Sequence, residues 1–192
     1  MFHDAVVDTM TRRFDDIFDW AGLCVRQLIT ASYPDRPDTF IIDVGAGQGK
    51  YRVLLADYPY MDAVEVFPPY VEGNRLLELY RHVHVKNVIN FLDEATEEYL
   101  HHTVVIMGDI LEHLTRDDAK SVLEQFCAHV DDIIAIVPYE YPQGEEDGNV
   151  HQAHLQDDLT PEIMGQVYPE LTLVAVEARD EKPFKGIYRW RR

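Results

Sequence analysis

The sequence has few cysteines, no long apolar run and no leader-like beginning. Its two cysteines, Cys24 and Cys127, are too few for a disulfide framework and lack the paired spacing of metal-binding cysteines. The segment from Met1 to Trp20 mixes five aspartates with its apolar residues, unlike a signal peptide. The longest apolar stretches, such as Ile133 to Pro138, fall far short of the roughly 20 residues that cross a bilayer. We therefore expect a cytoplasmic protein without a membrane span.

The sequence is also short of positive charge. Its 192 residues include 17 Lys and Arg against 35 Asp and Glu, a formal net charge of −18. Such a surface repels phosphate backbones and forgoes the counterion release that drives most nucleic-acid binding, which argues against a nucleic-acid partner. The exception is the segment from Arg179 to Arg192, with six basic and two acidic residues. Its simplest interpretation is a solvated final strand.

The apolar content is sufficient for one folded domain. With 46% hydrophobic and 11% aromatic residues, the chain can bury a core, and its length suits a single domain over residues 1–192. Apolar residues from Phe2 to Tyr33 follow a helical spacing, and Tyr33 to Asp38 carries turn residues. Residues 1–38 are therefore predicted to form a helical lead-in and a turn.

Strands and helices alternate after this lead-in. Apolar runs predict strands at Thr39–Val44, Asp62–Val66, His82–Lys86, Thr103–Met107 and Ile133–Val137. Amphipathic spacing predicts helices near Lys50–Tyr58, from Pro68 onward and at Arg116–His129, and Thr115 and Thr160 carry helix-start signals. Alternation of this kind is typical of a parallel sheet covered by helices.

The last two strands are predicted to pair differently. Leu171–Ala178 and Gly186–Trp190 are separated by only a short segment, which cannot hold the crossover helix of about a dozen residues that parallel strands require. The chain is therefore expected to end in an antiparallel hairpin. The whole pattern predicts a Rossmann-like, doubly wound α/β fold with a mostly parallel seven-stranded sheet and helices on both faces.

A glycine-rich loop joins the first strand to the next helix. Gly45, Gly47 and Gly49 permit a sharp turn and a close approach to a ligand. The dinucleotide fingerprint G-x-G-x-x-G does not fit, because Lys50 or Arg52 stands where the third glycine is needed. A glycine turn without any ligand is the alternative interpretation at this point.

A phosphate-binding P-loop is excluded as well. Val44 replaces its first glycine, and Tyr51 replaces the Ser or Thr that holds magnesium. The pattern that remains, h-h-D-h-G-x-G-x-G, resembles the first motif of class I S-adenosylmethionine (SAM)-dependent methyltransferases, and the resemblance extends from about Thr39 onward. It implies that the loop packs against the methionine part of SAM and that Asp43 interacts with its amino group, directly or through water.

The next two strand ends extend the resemblance. Glu65 ends the second strand, where a carboxylate can accept both ribose hydroxyls. Asn87 stands where the family usually has an Asp that faces the adenine amino group, and a simple turn residue is an equal alternative. The implied SAM site comprises Asp43, Gly45, Ala46, Gly47, Gly49, Glu65, Val66, Asn87, Val88, Asp109 and Ile110.

The segment Asp109 to Leu114 follows the fourth strand and resembles the D-x-L-E-H-L segment of many small-molecule methyltransferases, which lies beside the transferred methyl group. A helical turn there would gather Asp109, Glu112 and His113 on one side. Carboxylates with an imidazole suit Mg²⁺, Mn²⁺ or Zn²⁺. Alternatively, Glu112 is solvated at a helix start and His113 is a satisfied helix-terminal histidine.

The loop after the fifth strand adds one more histidine. Its Gln143-Gly144, Gly148-Asn149 and His154-Leu155 resemble a bacterial methyltransferase loop of the form Q-G…G-N-x-x-E-x-H-L-S, with Gln152 and Gln156 as departures. In ubiquinone-pathway O-methyltransferases, and in enzymes that methylate the terminal ribose of small RNAs, an acid-x-x-Glu-His segment binds a divalent ion. We hypothesise that Asp109, Glu112, His113 and His154 converge on an ion or on the acceptor.

The function implied is a SAM-dependent methyltransferase that acts on a small molecule, with oxygen as the favoured acceptor atom. His113 or His154 would serve as the base, since an imidazole titrates near neutral pH. RNA ribose 2′-O-methylation is the alternative within the class, favoured by the metal-like motif and the basic segment from Arg179 to Arg192 and opposed by the net charge. A non-catalytic SAM-binding or interaction module is the alternative outside it.

Overall fold

The computed structural model describes residues 18–146 and 148–192. Most of the predicted helical lead-in lies outside these residues. Helix α1 spans Trp20–Ser32, and Asp19 caps it by accepting a hydrogen bond of 2.7 Å from the amide of Gly22. A short 3₁₀ turn at Arg36–Asp38 then leads into the first strand. The predicted turn is therefore present.

Seven strands form one sheet. They are β1 Phe40–Val44, β2 Tyr60–Glu65, β3 Val83–Val85, β4 Thr103–Gly108, β5 Asp132–Pro138, β6 Thr172–Arg179 and β7 Lys182–Arg191. Their order is β3-β2-β1-β4-β5-β7-β6. The first five strands in this order pair in parallel, whereas β7 runs antiparallel to both neighbours. The predicted fold class is confirmed.

Helices cover both faces of the sheet. After α1 come α2 Lys50–Leu54, α3 Pro68–Gly73, α4 Leu76–Leu79, α5 Val88–Glu94, α6 Glu97–Leu100, α7 Arg116–His129 and α8 Pro161–Val167. One core lies between the sheet and α5 to α8, and a second lies between the sheet and α1 to α4. Because successive side chains of a strand point to opposite faces, Ile42 belongs to the first core and Ile41 to the second.

The helix predictions differ in quality. The bounds of α7 match the prediction, and Thr115 and Thr160 cap α7 and α8 through their side-chain oxygens. Helix α2 ends at Leu54, earlier than predicted. Helices α4, α5 and α6 were not predicted, because four to seven residues complete at most two turns and leave little periodicity to detect.

The carboxyl-terminal hairpin is tighter than predicted. Asp180 and Glu181 alone form its turn, with φ of 49° and 66°, and the strands extend to meet them. The expectation of a solvated final strand is wrong for two of its cations. The side chains of Lys185 and Arg189 are only 15% and 16% exposed, because they form ion pairs with carboxylates of the parallel strands and their loops.

Within the described part of the chain, no helix is both long enough and apolar enough to cross a membrane.

We predict that Arg189→Leu destabilises the fold by about 3 kcal/mol, because it leaves the fully buried carboxylate of Asp132 without its main partner. Arg189 Nε lies 2.9 Å from Asp132 Oδ1, and Tyr33 donates a 2.9 Å hydrogen bond to Oδ2. Urea unfolding measures the loss. The matched control is Arg191→Leu, whose side chain is 53% exposed and lies 3.9 Å from Asp132. Equal losses in both variants would contradict the prediction.

Candidate functional site

A cavity of about 230 Å³ opens where the strand order reverses, at the carboxyl ends of β1, β2 and β4. Doubly wound sheets bind their ligands at this place, since loops from neighbouring strands diverge there to opposite faces. Nine of the residues predicted for the site line this cavity: Gly45, Gly47, Glu65, Val66, Asn87, Val88, Asp109, Ile110 and His113. Three predicted SAM residues, Asp43, Ala46 and Gly49, do not line it.

The glycine-rich loop adopts a backbone that favours glycine. Gly45, Gly47 and Gly49 all have positive φ, at 72°, 52° and 75°. A Cβ atom at Gly45 would also overlap the side chain of Ile110 from the loop after β4. The amide of Gly45 donates a 2.7 Å hydrogen bond to the carbonyl of Val64 in β2. The loop therefore packs tightly between β2 and β4, which leaves its outer edge along the cavity.

Glu65 is held in place at the end of β2. Its side chain is almost fully buried, and each carboxylate oxygen accepts a 2.8 Å hydrogen bond from a backbone amide: Oε2 from Gly47 and Oε1 from Phe67. Burial raises the pKa of Glu65, and these amide donors oppose the rise. Because a carboxylate oxygen can accept a second hydrogen bond, Glu65 retains acceptor capacity toward the cavity.

Asp43 lies away from the cavity surface. It is 1% exposed, and Tyr80 donates a 2.5 Å hydrogen bond to its Oδ2, whereas Oδ1 has no partner among the described residues. Burial raises its pKa to about 7, although the bond from Tyr80 opposes the rise. Asp43 therefore does not line the cavity, and its predicted interaction with the amino group of SAM, directly or through water, stays a prediction.

The third strand is shorter than the predicted His82–Lys86. It ends at Val85, and Asn87 is the N-cap of α5, where its Oδ1 accepts a 2.8 Å hydrogen bond from the amide of Asn90. The oxygen that was expected to face adenine therefore caps a helix. Asn87 and Val88 still line the cavity, and the amide NH₂ of Asn87 has no hydrogen-bond partner among the described residues.

The segment after β4 departs from the predicted helical turn. Asp109 has a left-handed φ of 55°, and a 3₁₀ turn begins only at Leu111 and ends at His113. Asp109 pairs instead with Lys185 at the start of β7, whose Nζ lies 2.8 Å from Oδ1 and 3.0 Å from Oδ2. The prediction that Asp109 joins one cluster with the other three metal candidates therefore needs correction, since Lys185 holds its carboxylate.

Glu112, His113 and His154 do come together. One potential ligand atom from each lies within 4.8 Å of the others. Glu112 is fully buried, and neither of its carboxylate oxygens has a hydrogen-bond partner in the described structure. Burial, together with the negative charge of Asp109, raises the pKa of Glu112 well above its usual range. The alternative that Glu112 is solvated is therefore wrong.

Both histidines are oriented by backbone carbonyls. His113 Nδ1 lies 3.2 Å from the carbonyl of Ala153, and His154 Nδ1 lies 2.5 Å from that of Tyr141. A carbonyl can only accept, so each Nδ1 carries a proton, and in the neutral form of either ring the lone pair lies on Nε2. Burial lowers the pKa of His113, which favours its neutral form. Metal-binding histidines are commonly oriented in this way.

The loop after β5 fastens this group. The amides of Leu155 and Gln156 donate hydrogen bonds of 2.7 and 3.1 Å to the carbonyl of Glu112. The buried side chain of Gln156 donates to the carbonyl of Leu111 at 2.7 Å and accepts from Tyr168 at 2.7 Å. Gln156, a departure from the family pattern, therefore ties the 3₁₀ turn to α8.

The same loop supplies cavity residues that were not among the predicted site residues. Asn149, His151 and Gln152 line the first cavity together with Lys86 and the backbone of Gly108. The 3₁₀ turn at Val150–Gln152 brings them there. The G-N segment was visible in the sequence, but its return across the strand ends depends on tertiary contacts.

A second cavity, of about 280 Å³, adjoins the first. The two share Asp109, His113 and Gln152, and the second is also lined by Glu112 and His154. Its other walls include the aromatic rings of Tyr141 and Phe184, the loop residues Gln143 and Glu146, and the cations Arg179 and Lys185. The buried Glu-His group thus lies where the two cavities meet.

Comparison with known proteins supports the fold. No family model and no curated protein sequence matches the chain. Among solved structures, it resembles the N-terminal domain of EvdMO1 with SAH bound, at 13% identity over 91% of this chain and 81% of that chain, with a TM-score of 0.61. It also resembles a SAM-dependent methyltransferase from Clostridium acetobutylicum, at 10% identity over 97% and 98% of the chains and a TM-score of 0.64.

A third similar structure is the magnesium protoporphyrin IX methyltransferase ChlM from Synechocystis with bound SAM. The identity is 10% over 94% of this chain and 90% of that chain, and the TM-score is 0.55. The chain therefore has the fold of SAM-dependent methyltransferases.

We predict that Asp43→Asn changes how the stability of the unliganded protein depends on pH. Because burial raises the pKa of Asp43 from 3.8 to about 7, the stability that its protonated form contributes is complete below pH about 4 and is lost as the pH rises to about 7. Relative to the wild type, the free energy of unfolding of Asp43→Asn should therefore increase across this pH interval, by up to about 4 kcal/mol.

Urea unfolding at several pH values measures this difference, and Asp93→Asn, an exposed aspartate in α5, is the control. A constant difference between Asp43→Asn and the wild type at every pH would refute the assignment.

Proposed function

We propose that the chain is a SAM-dependent methyltransferase that transfers a methyl group to an oxygen atom of a small-molecule acceptor. The observation that carries this proposal is the meeting of two cavities. One is lined by the residues that the SAM motifs predict, and the other contains a buried carboxylate with two oriented imidazoles. A methyltransferase needs this arrangement, because methyl donor and acceptor must approach each other in line.

The first cavity suits the three parts of SAM. Asn87 and Val88 would contact the adenine, and Glu65 would accept hydrogen bonds from the ribose hydroxyls. Gly45 and Gly47 would follow the methionine portion, which ends toward Asp109. This orientation directs the methyl group toward the second cavity, past Asp109, which lines both cavities and is paired with Lys185.

The transfer itself is a displacement at carbon. The acceptor oxygen forms a bond to the methyl carbon while the carbon–sulfur bond breaks. The electron pair of the broken bond returns to sulfur, and the product is S-adenosylhomocysteine (SAH), whose sulfur is neutral. The hydroxyl proton passes to Nε2 of His113 or His154, whose lone pairs are free for this purpose. The chain's main contribution is alignment of the two reactants.

The Glu112, His113 and His154 group also fits a divalent cation. Two carboxylate oxygens without partners and two free imidazole nitrogens form a donor set suited to Mn²⁺ or Zn²⁺, and less to Mg²⁺. Such an ion would occupy the imidazole lone pairs, and it would replace the histidine base by lowering the pKa of a hydroxyl bound to it. Asp109 is outside this proposed set because it pairs with Lys185.

The structure offers less support for an RNA acceptor. The basic carboxyl-terminal segment was one of the two features in its favour, and Lys185 and Arg189 of that segment pair with Asp109 and Asp132 instead of facing solvent. A small acceptor is therefore the better proposal for a single methyltransferase domain of this charge.

We predict that SAH binds the wild-type protein and that Glu65→Ala weakens its binding at least about tenfold, which corresponds to about 1.4 kcal/mol. The variant removes the acceptor proposed for the ribose. Calorimetric titration measures the affinities, and Glu72→Ala, an exposed glutamate in α3, is the control. Absence of SAH binding to the wild type would refute the proposed function.

We further predict that the protein, prepared without chelator, retains Mn²⁺ and that Glu112→Gln abolishes this binding. Equilibrium dialysis with metal analysis measures it, and Glu145→Gln in the exposed loop is the control. In chelator, Glu112→Gln should be at least as stable as the wild type, since it removes a buried unpaired carboxylate. A site that stays empty in the wild type at saturating Mn²⁺ would end the metal proposal.

A further inference from the structure

We propose that Arg179 and Lys185 form an anion-binding subsite in the second cavity, so that the methyl acceptor carries a carboxylate or a phosphate in addition to its hydroxyl group. This inference rests on the proposed function and narrows its substrate class. It also gives a role to the basic carboxyl-terminal segment, which contributes both cations to this cavity.

Arg179, the last residue of β6, presents a preorganised guanidinium. Its central carbon lies 3.5 Å from the ring centroid of Phe184, which fixes the plane of the group. Nε donates a 3.2 Å hydrogen bond to Glu177, and neither terminal nitrogen has a partner among the described residues. A planar guanidinium with two free nitrogens matches the paired oxygens of a carboxylate or phosphate.

Lys185 supplies the second cation at a more buried position. Burial opposes its charge, but Asp109 outweighs this effect, and the pKa of Lys185 is raised overall. Its ammonium group has three donors, and the described contacts of Nζ are with the two oxygens of Asp109. Only the contact with Oδ2 is a hydrogen bond, so donors of Nζ remain for an acceptor in the cavity.

The acidic groups that line the same cavity do not cancel this subsite. Asp109 is paired with Lys185, Glu112 lies with the two histidines, and Glu146 is exposed in the loop after β5. Among residues 18–146 and 148–192, the terminal nitrogens of Arg179 thus have no hydrogen-bond partner, while Nε of the same group pairs with Glu177. The cations and the group proposed to bind the hydroxyl lie on different walls of the cavity. The hairpin contributes Arg179 and Lys185, whereas the turn after β4 and the loop after β5 contribute Glu112 and the two histidines.

The net charge of −18 strengthens the inference. A chain with this charge repels anions at long range, so its cations are expected on the surface, where they compensate acidic neighbours. Lys185, with a side chain only 15% exposed, departs from that expectation, whereas Arg179 is 60% exposed and is held at the cavity by Phe184 and Glu177. The cavity volume of about 280 Å³ suits a compact acceptor of the size of a sugar or an aromatic acid.

The first experiment identifies the charge of the product. The protein is incubated with methyl-labelled SAM and a mixed extract of small metabolites, and the labelled product is passed over an anion-exchange resin at mildly alkaline pH. We expect retention on the resin, and a neutral or cationic labelled product would overturn the proposal. Treatment with alkaline phosphatase separates the two sources, because it releases the label from a phosphate monoester and leaves a carboxylate retained.

The second experiment tests the subsite without turnover. Inorganic phosphate is titrated into the SAH-loaded protein, and the Nε–Hε resonance of Arg179 is followed by NMR. We expect a saturable shift, with affinity lowered at least about fivefold in Arg179→Gln and in Lys185→Gln, in keeping with the loss of a charge-assisted hydrogen bond.

The matched control is Lys182→Gln, which removes the same charge from an exposed position of the same hairpin. Its phosphate affinity should stay within about twofold of the wild type, because exposed charges are largely screened. No saturable shift, or equal loss in Lys182→Gln and Arg179→Gln, would overturn the subsite. If SAH fails to bind or no labelled product forms, the proposed function fails, and a phosphate titration of the unliganded protein still decides on the subsite.

Discussion

The carboxylate of Glu112 is fully buried, and neither of its oxygens has a hydrogen-bond partner in the described part of the chain. An unpaired buried carboxylate costs a fold several kcal/mol unless something compensates it. The nearest candidates are the imidazoles of His113 and His154, each of which has one ring nitrogen within 4.8 Å of the other potential ligand atoms, and we propose that a cation or an acceptor hydroxyl binds between them. Hydrogen bonds hold Glu112 in place: the amides of Leu155 and Gln156 donate to its backbone carbonyl, and the side chain of Gln156 donates to the carbonyl of Leu111. A site built in this way is typical of function.

The position of this group follows from the reversal of strand order between β1 and β4. That reversal opens a crevice at the carboxyl ends of the parallel strands, and the glycine-rich loop enters it from β1 while Asp109 enters from β4. Both segments have left-handed backbone conformations at this edge. For a non-glycine residue such as Asp109 this conformation costs energy, and it turns the chain abruptly into the 3₁₀ turn of Glu112.

Much of the fold could be predicted from the sequence, because its signals are local. The central strands β4 and β5 are nearly continuous apolar runs, as expected for strands buried on both faces, and the bounds of α7 follow from Thr115 and its amphipathic spacing. The short helices α4 to α6 could not be predicted, since so few residues carry little periodicity.

Site residues that belong to one compact sequence motif could be predicted. Contacts between segments far apart in the sequence could not. Glu65 and the glycines belong to compact motifs, and they line the first cavity or its supporting loop. The pairing of Asp109 with Lys185 joins residues far apart in sequence, and it removed Asp109 from the predicted metal group. The burial of Glu112 likewise depends on the loop after β5, which closes over it only in the folded chain.

The most direct test of this account is a crystal structure of the protein with SAH and Mn²⁺, with data collected at a wavelength where manganese scatters anomalously. The account predicts SAH in the first cavity, with its ribose on Glu65 and its sulfur toward Asp109, and an anomalous peak between Glu112, His113 and His154. SAH bound elsewhere, or absent at saturating concentration, would contradict the central claim that the two cavities join a methyl donor to its acceptor.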